Sequence, residues 1–199
     1  MSWLWSGLRH LVFWLALVPF ALLVYGAFTN TLGADPADVL SLETGRWTFR
    51  FLLMSLAITP LRQITGQARL LPLRRTLGLY ALFYACWHFL VYLMFLLEWR
   101  WSEIGSDILE RPYITVGFVA FLILVALGST SNKAMMRRLG RNWKRLHRWV
   151  YLAAILGFLH LFWILRGDVT DAVIYGTILV LLLAYRVYRA AWFRRLFSS

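Results

Sequence analysis

Four histidines, His10, His88, His147 and His160, are the side chains in this sequence best suited to chemistry. Imidazole binds transition metals and carries protons near neutral pH. Two of the four lie deep in apolar stretches, His88 within residues 76–97 and His160 within 149–165. His88 follows Arg75, the last base before its stretch, by thirteen residues, and His160 follows Arg148 by twelve. At about 1.5 Å per helical residue, both stand roughly 18–20 Å from the same edge of the apolar layer. An isolated histidine at such depth either hydrogen-bonds a neighbouring helix or marks a functional site. Two at one height, on helices running the same way, can face each other and take the two axial positions of a haem iron. Nitrogen on both faces leaves the iron no open position, which favours electron transfer over oxygen chemistry. Gly157, one turn before His160, leaves room either for a flat macrocycle or for close helix packing.

His147 precedes His160 by thirteen residues, a rotation of about 220° after whole turns, so the two do not share a helix face. It reads either as a ligand or cofactor contact near the opposite interface, or as an interfacial residue. At its height the third stretch offers Arg74 and Arg75 rather than histidine, so a second bis-histidine site lacks a ligand unless His10 supplies it. His10 itself reads as interfacial.

These positions call for a membrane bundle, and the composition agrees. The chain has 199 residues, 61% of them hydrophobic, with mean hydropathy +0.65. Soluble domains are only about half apolar. Eleven Trp, nine Tyr and fourteen Phe suit aromatic belts at two interfaces. The single cysteine, Cys86, excludes an intramolecular disulfide and any multi-cysteine metal site, and reads as packing. Six apolar runs stand out, near 11–28, 47–61, 76–97, 113–128, 149–165 and 172–188. The sequence therefore predicts an all-α integral membrane bundle of six transmembrane helices, forming one domain over residues 1–199. The second run is weak, because Arg50 lies inside it and must snorkel. Pro19 is expected to kink the first helix and Pro60 to end the second. No internal repeat is apparent.

Charge parity supports the sixth crossing. The nine acids fall in alternate connections: Asp35, Asp38 and Glu43; Glu98, Glu103, Asp107 and Glu110; Asp168 and Asp171. The other segments hold sixteen of the 21 Lys and Arg and no acid: Arg9 alone in the first, then Arg62, Arg69, Arg74 and Arg75, then the cluster from Lys133 to Arg148, and last the four from Arg186 to Arg195. Lys and Arg mark cytoplasmic segments, which puts both termini inside. The longest connection, residues 129–148, reads as a short basic amphipathic helix or turn on the inner surface. That surface, with Arg74, Arg75, Lys144 and Arg145 beside His147, has three readings: topology with attraction to anionic lipid, a phosphate-bearing cofactor such as a flavin nucleotide, or docking of an acidic cytosolic partner. In a membrane bundle the net charge of +12 does not indicate nucleic-acid binding. No GxxxxGK or GxGxxG phosphate loop occurs. No soluble flavin or nicotinamide domain is expected after the sixth run, so electrons must come from a membrane quinol or a separate cytosolic reductase. With every acid expected in an outer connection, a proton-driven carrier built on carboxylate relays is disfavoured. A membrane scaffold or small transporter whose histidines only pack helices remains the reading from another class.

Several segments also carry a family resemblance: LGADP at 32–36, TGR at 44–46, ITPLR at 58–62, RRTLGLY at 74–80, RPYITVG at 111–117 and LGRNWKRLHRWVYLAAIL ending at Leu156. In this order, around His88, His147 and His160, they resemble the MsrQ (YedZ) family of haem-binding membrane subunits, relatives of the ferric-reductase and NADPH-oxidase transmembrane domain. The resemblance implies b-type haem, with His88, His160 and His147 as candidate ligands, and FMN as a further cofactor. It implies a bacterial inner-membrane electron-transfer subunit rather than a catalytic one. Its implied partners are the quinone pool as donor, beside which a cytosolic flavin reductase stays the other candidate, and a periplasmic molybdenum-cofactor methionine sulfoxide reductase as acceptor. A stand-alone quinol or ferric reductase is the alternative within the same class.

Overall fold

The computed structural model describes residues 2–165 and 169–196. The described elements are all helical. They are α1 (Ser2–Phe28), α2 (Pro36–Thr65), α3 (Leu71–Val91, prolonged by a π-turn at Tyr92–Leu96), α4 (Ile104–Glu110), α5 (Pro112–Ser129), α6 (Lys133–Leu139), α7 (Arg141–Leu146), α8 (Val150–Ile164) and α9 (Val169–Leu196). Five stretches are long and apolar enough to cross a membrane: Gly7–Phe28, Ala68–Leu96, Pro112–Ser129, Arg141–Ile164 and Val169–Ala190. The expected sixth, in α2, does not meet that standard, because Glu43, Arg46, Arg50 and Arg62 dilute its apolar run. Large apolar side chains such as Trp14, Leu22, Val180 and Leu181 face outward on α1 and α9. Such continuous apolar exposure is the surface a lipid bilayer covers.

Several expected boundaries are corrected. Helix α2 begins at Pro36 rather than near residue 47. Asp35 caps it, its carboxylate accepting the Asp38 N–H at 3.0 Å, and Pro36 pre-sets the first turn. Asp38 and Glu43, expected in a connection, therefore lie on the helix. Pro60 does not end α2, which runs on to Thr65 and stops at Gly66 in the left-handed conformation (φ +70°). Proline at 60 removes the N–H that would bond the Leu56 carbonyl, and Arg186 of α9 donates to that carbonyl instead, at 2.9 Å. Pro19, expected to kink the first helix, lies inside α1. There the fully buried Tyr84 hydroxyl inserts into the ladder, accepting from Phe20 N–H (3.0 Å) and donating to the Ala16 carbonyl (2.8 Å). The basic connection 129–148 forms two short helices, α6 and α7, the first capped by Asn132, which accepts from Met135 N–H at 2.8 Å. Asp168 lies outside the described residues, as do the side chains of Arg194 and Arg195.

Helices α2 and α3 form one tightly packed hairpin, and α5 packs on α8 across the bundle. Ala81, Ala85, Ala153 and Ala154 are buried where the helices approach. Small side chains allow that approach, which drives association where lipid removes the hydrophobic difference. Phe51 stacks on Tyr84 at 5.2 Å between ring centres. Arg50 is held rather than snorkelling: Nε donates to Tyr175 Oη at 2.8 Å and the guanidinium lies 4.6 Å over the Trp47 ring. Arg46 bridges Glu43 and Asp171, both at 2.7 Å, which ties α2 to α9.

Candidate metal centre

The α2–α3 hairpin and the packed α5–α8 pair border a cavity of about 280 Å3 with His88 of α3 on one side and His160 of α8 on the other. Their ring centres are 5.9 Å apart and their planes meet at 77°. Each ring is fixed through Nδ1. His88 Nδ1 lies 2.9 Å from the Ser41 carbonyl of α2, and His160 Nδ1 lies 2.6 Å from the Tyr113 carbonyl of α5. A carbonyl oxygen only accepts, so both Nδ1 atoms carry the proton and both Nε2 atoms keep a free lone pair. Thr44 Oγ1 lies 3.3 Å from His88 Nδ1 as a second neighbour. Phe49, Leu52, Phe121, Leu124 and Leu161 supply apolar walls, with Asp38, Thr48 and Tyr92 among the few polar lining groups.

Two neutral imidazoles with their lone pairs free form a donor pair for a soft or borderline transition metal. Among the described residues no group of three or more His, Cys, Asp or Glu could hold a bare ion. A metal held by this pair would need further ligands from outside the described side chains.

The other candidates lie elsewhere. The His147 ring stacks on Trp143 at 3.9 Å, Nδ1 donates to the Trp143 carbonyl at 3.1 Å, and Nε2 is 3.3 Å from Ser131 Oγ. It does not line the His88–His160 cavity. Arg74 is half-buried, with Nη1 3.5 Å from Thr59 Oγ1. Arg75, Lys144 and Arg145 are exposed. His10 lines a separate pocket with Arg9, Phe13 and Thr76. Reading the sequence missed Ser41, Gly45, Tyr113 and Gly117, which hold or abut the imidazoles. A signal was present: a glycine precedes each deep histidine by the same number of residues.

A bundle of apolar helices closing on a pair of half-buried histidines is the architecture of a ferric-reductase-like membrane domain. The family model described as "Ferric reductase like transmembrane component" matches residues 44–158, from Thr44 through His88 and His147 to just short of His160. The "Protein-methionine-sulfoxide reductase heme-binding subunit MsrQ" of Xanthomonas euvesicatoria pv. vesicatoria (strain 85-10) is 47% identical over 193 residues, 94% of this chain and 88% of the relative. The protein of the same name from Xanthomonas campestris pv. campestris (strain 8004) is 49% identical over 84% of this chain and 77% of the relative. That from Herminiimonas arsenicoxydans is 44% identical over 94% and 87%. The chain belongs to the MsrQ family, within the ferric-reductase-like membrane proteins. It is a multi-pass protein of the inner membrane. No solved structure matches it.

Proposed function

We propose that this chain is the haem-b electron-transfer subunit of a methionine sulfoxide reductase system, with His88 and His160 as the axial ligands. The observation that carries this reading is the facing imidazole pair, each ring anchored by Nδ1 with Nε2 free. Two imidazoles bound to opposite sides of one metal, with metal–nitrogen bonds of about 2.0–2.1 Å, have ring centres roughly 6.3 Å apart. The 5.9 Å separation is close to that, and the donor set and apolar walls fit a haem. Bound there, haem b supplies a centre that gains and loses one electron. The chain's own part is to hold both imidazoles in one tautomer and to line the space between them with mainly apolar side chains. Ligand hydrogen bonding and the polarity of the pocket are means by which a protein sets a haem's potential.

The finer features belong to the same proposal. The chain forms one domain, crosses the membrane six times and keeps both termini in the cytoplasm. Lys and Arg bias supports that orientation. Helix α2 is about 45 Å long, and its charges near the bundle are matched: Arg46 by Glu43 and Asp171, and Arg50 by Tyr175 and Trp47. Electrons enter from the quinone pool or a cytosolic flavin reductase and leave to a periplasmic molybdenum-cofactor methionine sulfoxide reductase. Arg74, Arg75, Lys144, Arg145 and His147 form the inner surface on which FMN would be held. His147 is the alternative axial ligand.

The test is a reduced-minus-oxidised visible spectrum with a pyridine haemochrome assay on the purified full chain, beside His88→Ala, His160→Ala and His147→Ala. The expected result is a b-type spectrum lost in the first two variants and kept in the third. Loss with His147 in place of His160 moves the haem to the other end of α8. A folded wild-type protein that was supplied with haem and shows no b-type spectrum overturns the reading.

A further inference from the structure

The two deep histidines are held by the same device, built twice. In each helix pair, α2–α3 and α5–α8, the imidazole Nδ1 meets a backbone carbonyl 47 residues earlier in the chain, Ser41 for His88 and Tyr113 for His160. One turn beyond that carbonyl stands a glycine, Gly45 or Gly117. A Cβ on Gly45 would lie 3.2 Å from His88 Cε1, and one on Gly117 would lie 2.7 Å from His160 Nδ1. The walls repeat with the same offset: Phe49 answers Phe121, Leu52 answers Leu124, and all four line the cavity. The bundle thus holds an internal repeat, too sparse along the chain to be seen without the fold.

The glycines have a physical reason. A helical carbonyl accepts from the N–H four residues on, and its second lone pair points sideways. Cα–Cβ bonds tilt toward the helix N-terminus, so a side chain at the fourth residue lies over that carbonyl. Glycine at that position uncovers it. We propose that Gly45 and Gly117 are the positioning residues of the two metal ligands: each opens the carbonyl one turn back to the imidazole Nδ1–H, and so aims both Nε2 lone pairs across the cavity. The proposal rests on the reading of His88 and His160 as axial ligands. The two halves are not equivalent. Gly117 has the tighter contact. On the other side, Thr44 adds a hydroxyl 3.3 Å from His88 Nδ1 where the matching residue, Val116, has none.

Groups that orient a metal-binding histidine typically change metal affinity 10–100-fold when altered. Gly117→Ala is therefore expected to weaken haem binding at least tenfold. Gly45→Ala, the milder intrusion, retains haem but shifts its reduction potential and its low-spin paramagnetic resonance g-values. Gly176→Ala is the packing control. Its Cβ would meet the Phe158 ring at 2.8 Å, a like crowding on an apolar ring. It is expected to lower stability and leave the spectrum of the folded protein unchanged. Each full-length variant is titrated with hemin, and haem is read per folded molecule. A Gly117→Ala protein with wild-type occupancy and g-values overturns the proposal, as does haem loss that merely follows the folded fraction in all three variants.

A second measurement does not depend on haem. Nitrogen-15 spectra of the histidine-labelled full chain, assigned with His88→Gln and His160→Gln, read which ring nitrogen is protonated in the hemin-free protein. Nδ1–H on both rings is expected. Nε2–H on either ring overturns the proposal even if Gly117→Ala fails to fold. Should wild type bind no hemin while both rings carry Nδ1–H, the ligand reading fails and the carbonyl cradles stand.

Discussion

Tyr84→Phe removes one oxygen from a fully buried ring and leaves its stacking on Phe51 in place. That oxygen serves two backbone groups of α1 on either side of Pro19, the Phe20 N–H and the Ala16 carbonyl. A hydrogen bond contributes about 0.5–1.5 kcal/mol net, and a buried polar group left without a partner costs about 1–3 kcal/mol. With two such groups released inside the bundle, the expected loss is about 2–4 kcal/mol. It is measured by reversible unfolding in mixed micelles, followed by circular dichroism. Pro19→Ala provides the decisive background. It restores an N–H at residue 19 and lets Phe20 N–H close directly onto the Ala16 carbonyl. In that background Tyr84→Phe should cost less than about 1 kcal/mol, a coupling of roughly 1–3 kcal/mol between contacting sites. Equal losses in both backgrounds would refute the idea that the hydroxyl bridges a gap opened by proline.

Two further expectations follow from the same accounting of polar groups. Asp171→Asn takes one of two carboxylates from the half-buried Arg46 and should cost about 1–3 kcal/mol, less than breaking an isolated buried pair because Glu43 stays at 2.7 Å; Glu43→Gln added to it should cost more than the sum of the two alone. Both are read from the same unfolding assay. Arg186→Met keeps the apolar stem but leaves the Leu56 carbonyl without its donor, for about 1–3 kcal/mol, and Pro60→Ala should recover part of that by restoring the missing N–H. No recovery would place the role of Arg186 in its contact over the Tyr151 ring, 4.9 Å away, rather than at the carbonyl.

Some features were readable residue by residue. Hydropathy marked the five stretches that meet the length and composition of a membrane span, because transfer into lipid is close to a local, additive property. Counting from Arg75 and Arg148 placed His88 and His160 at one height, since rise along a helix is constant, and their rings stand 5.9 Å apart. Pro60 was misread as the end of its helix. Proline's local effect is to break a ladder, but Tyr84 and Arg186, remote in sequence, supply the missing partners.

By itself, then, the sequence determined an all-helical membrane chain with two histidines at matching depth. Only the tertiary structure decided which way each helix turns. Every residue advances a helix by about 100°, so facing is set by packing between segments far apart in the chain. That packing put Ser41 and Gly45 against His88, and Tyr113 and Gly117 against His160. It also decided that His147 turns to Trp143 and Ser131, away from the paired imidazoles. The carbonyls that hold the rings belong to the backbone, which every residue shares, so no side chain announces them.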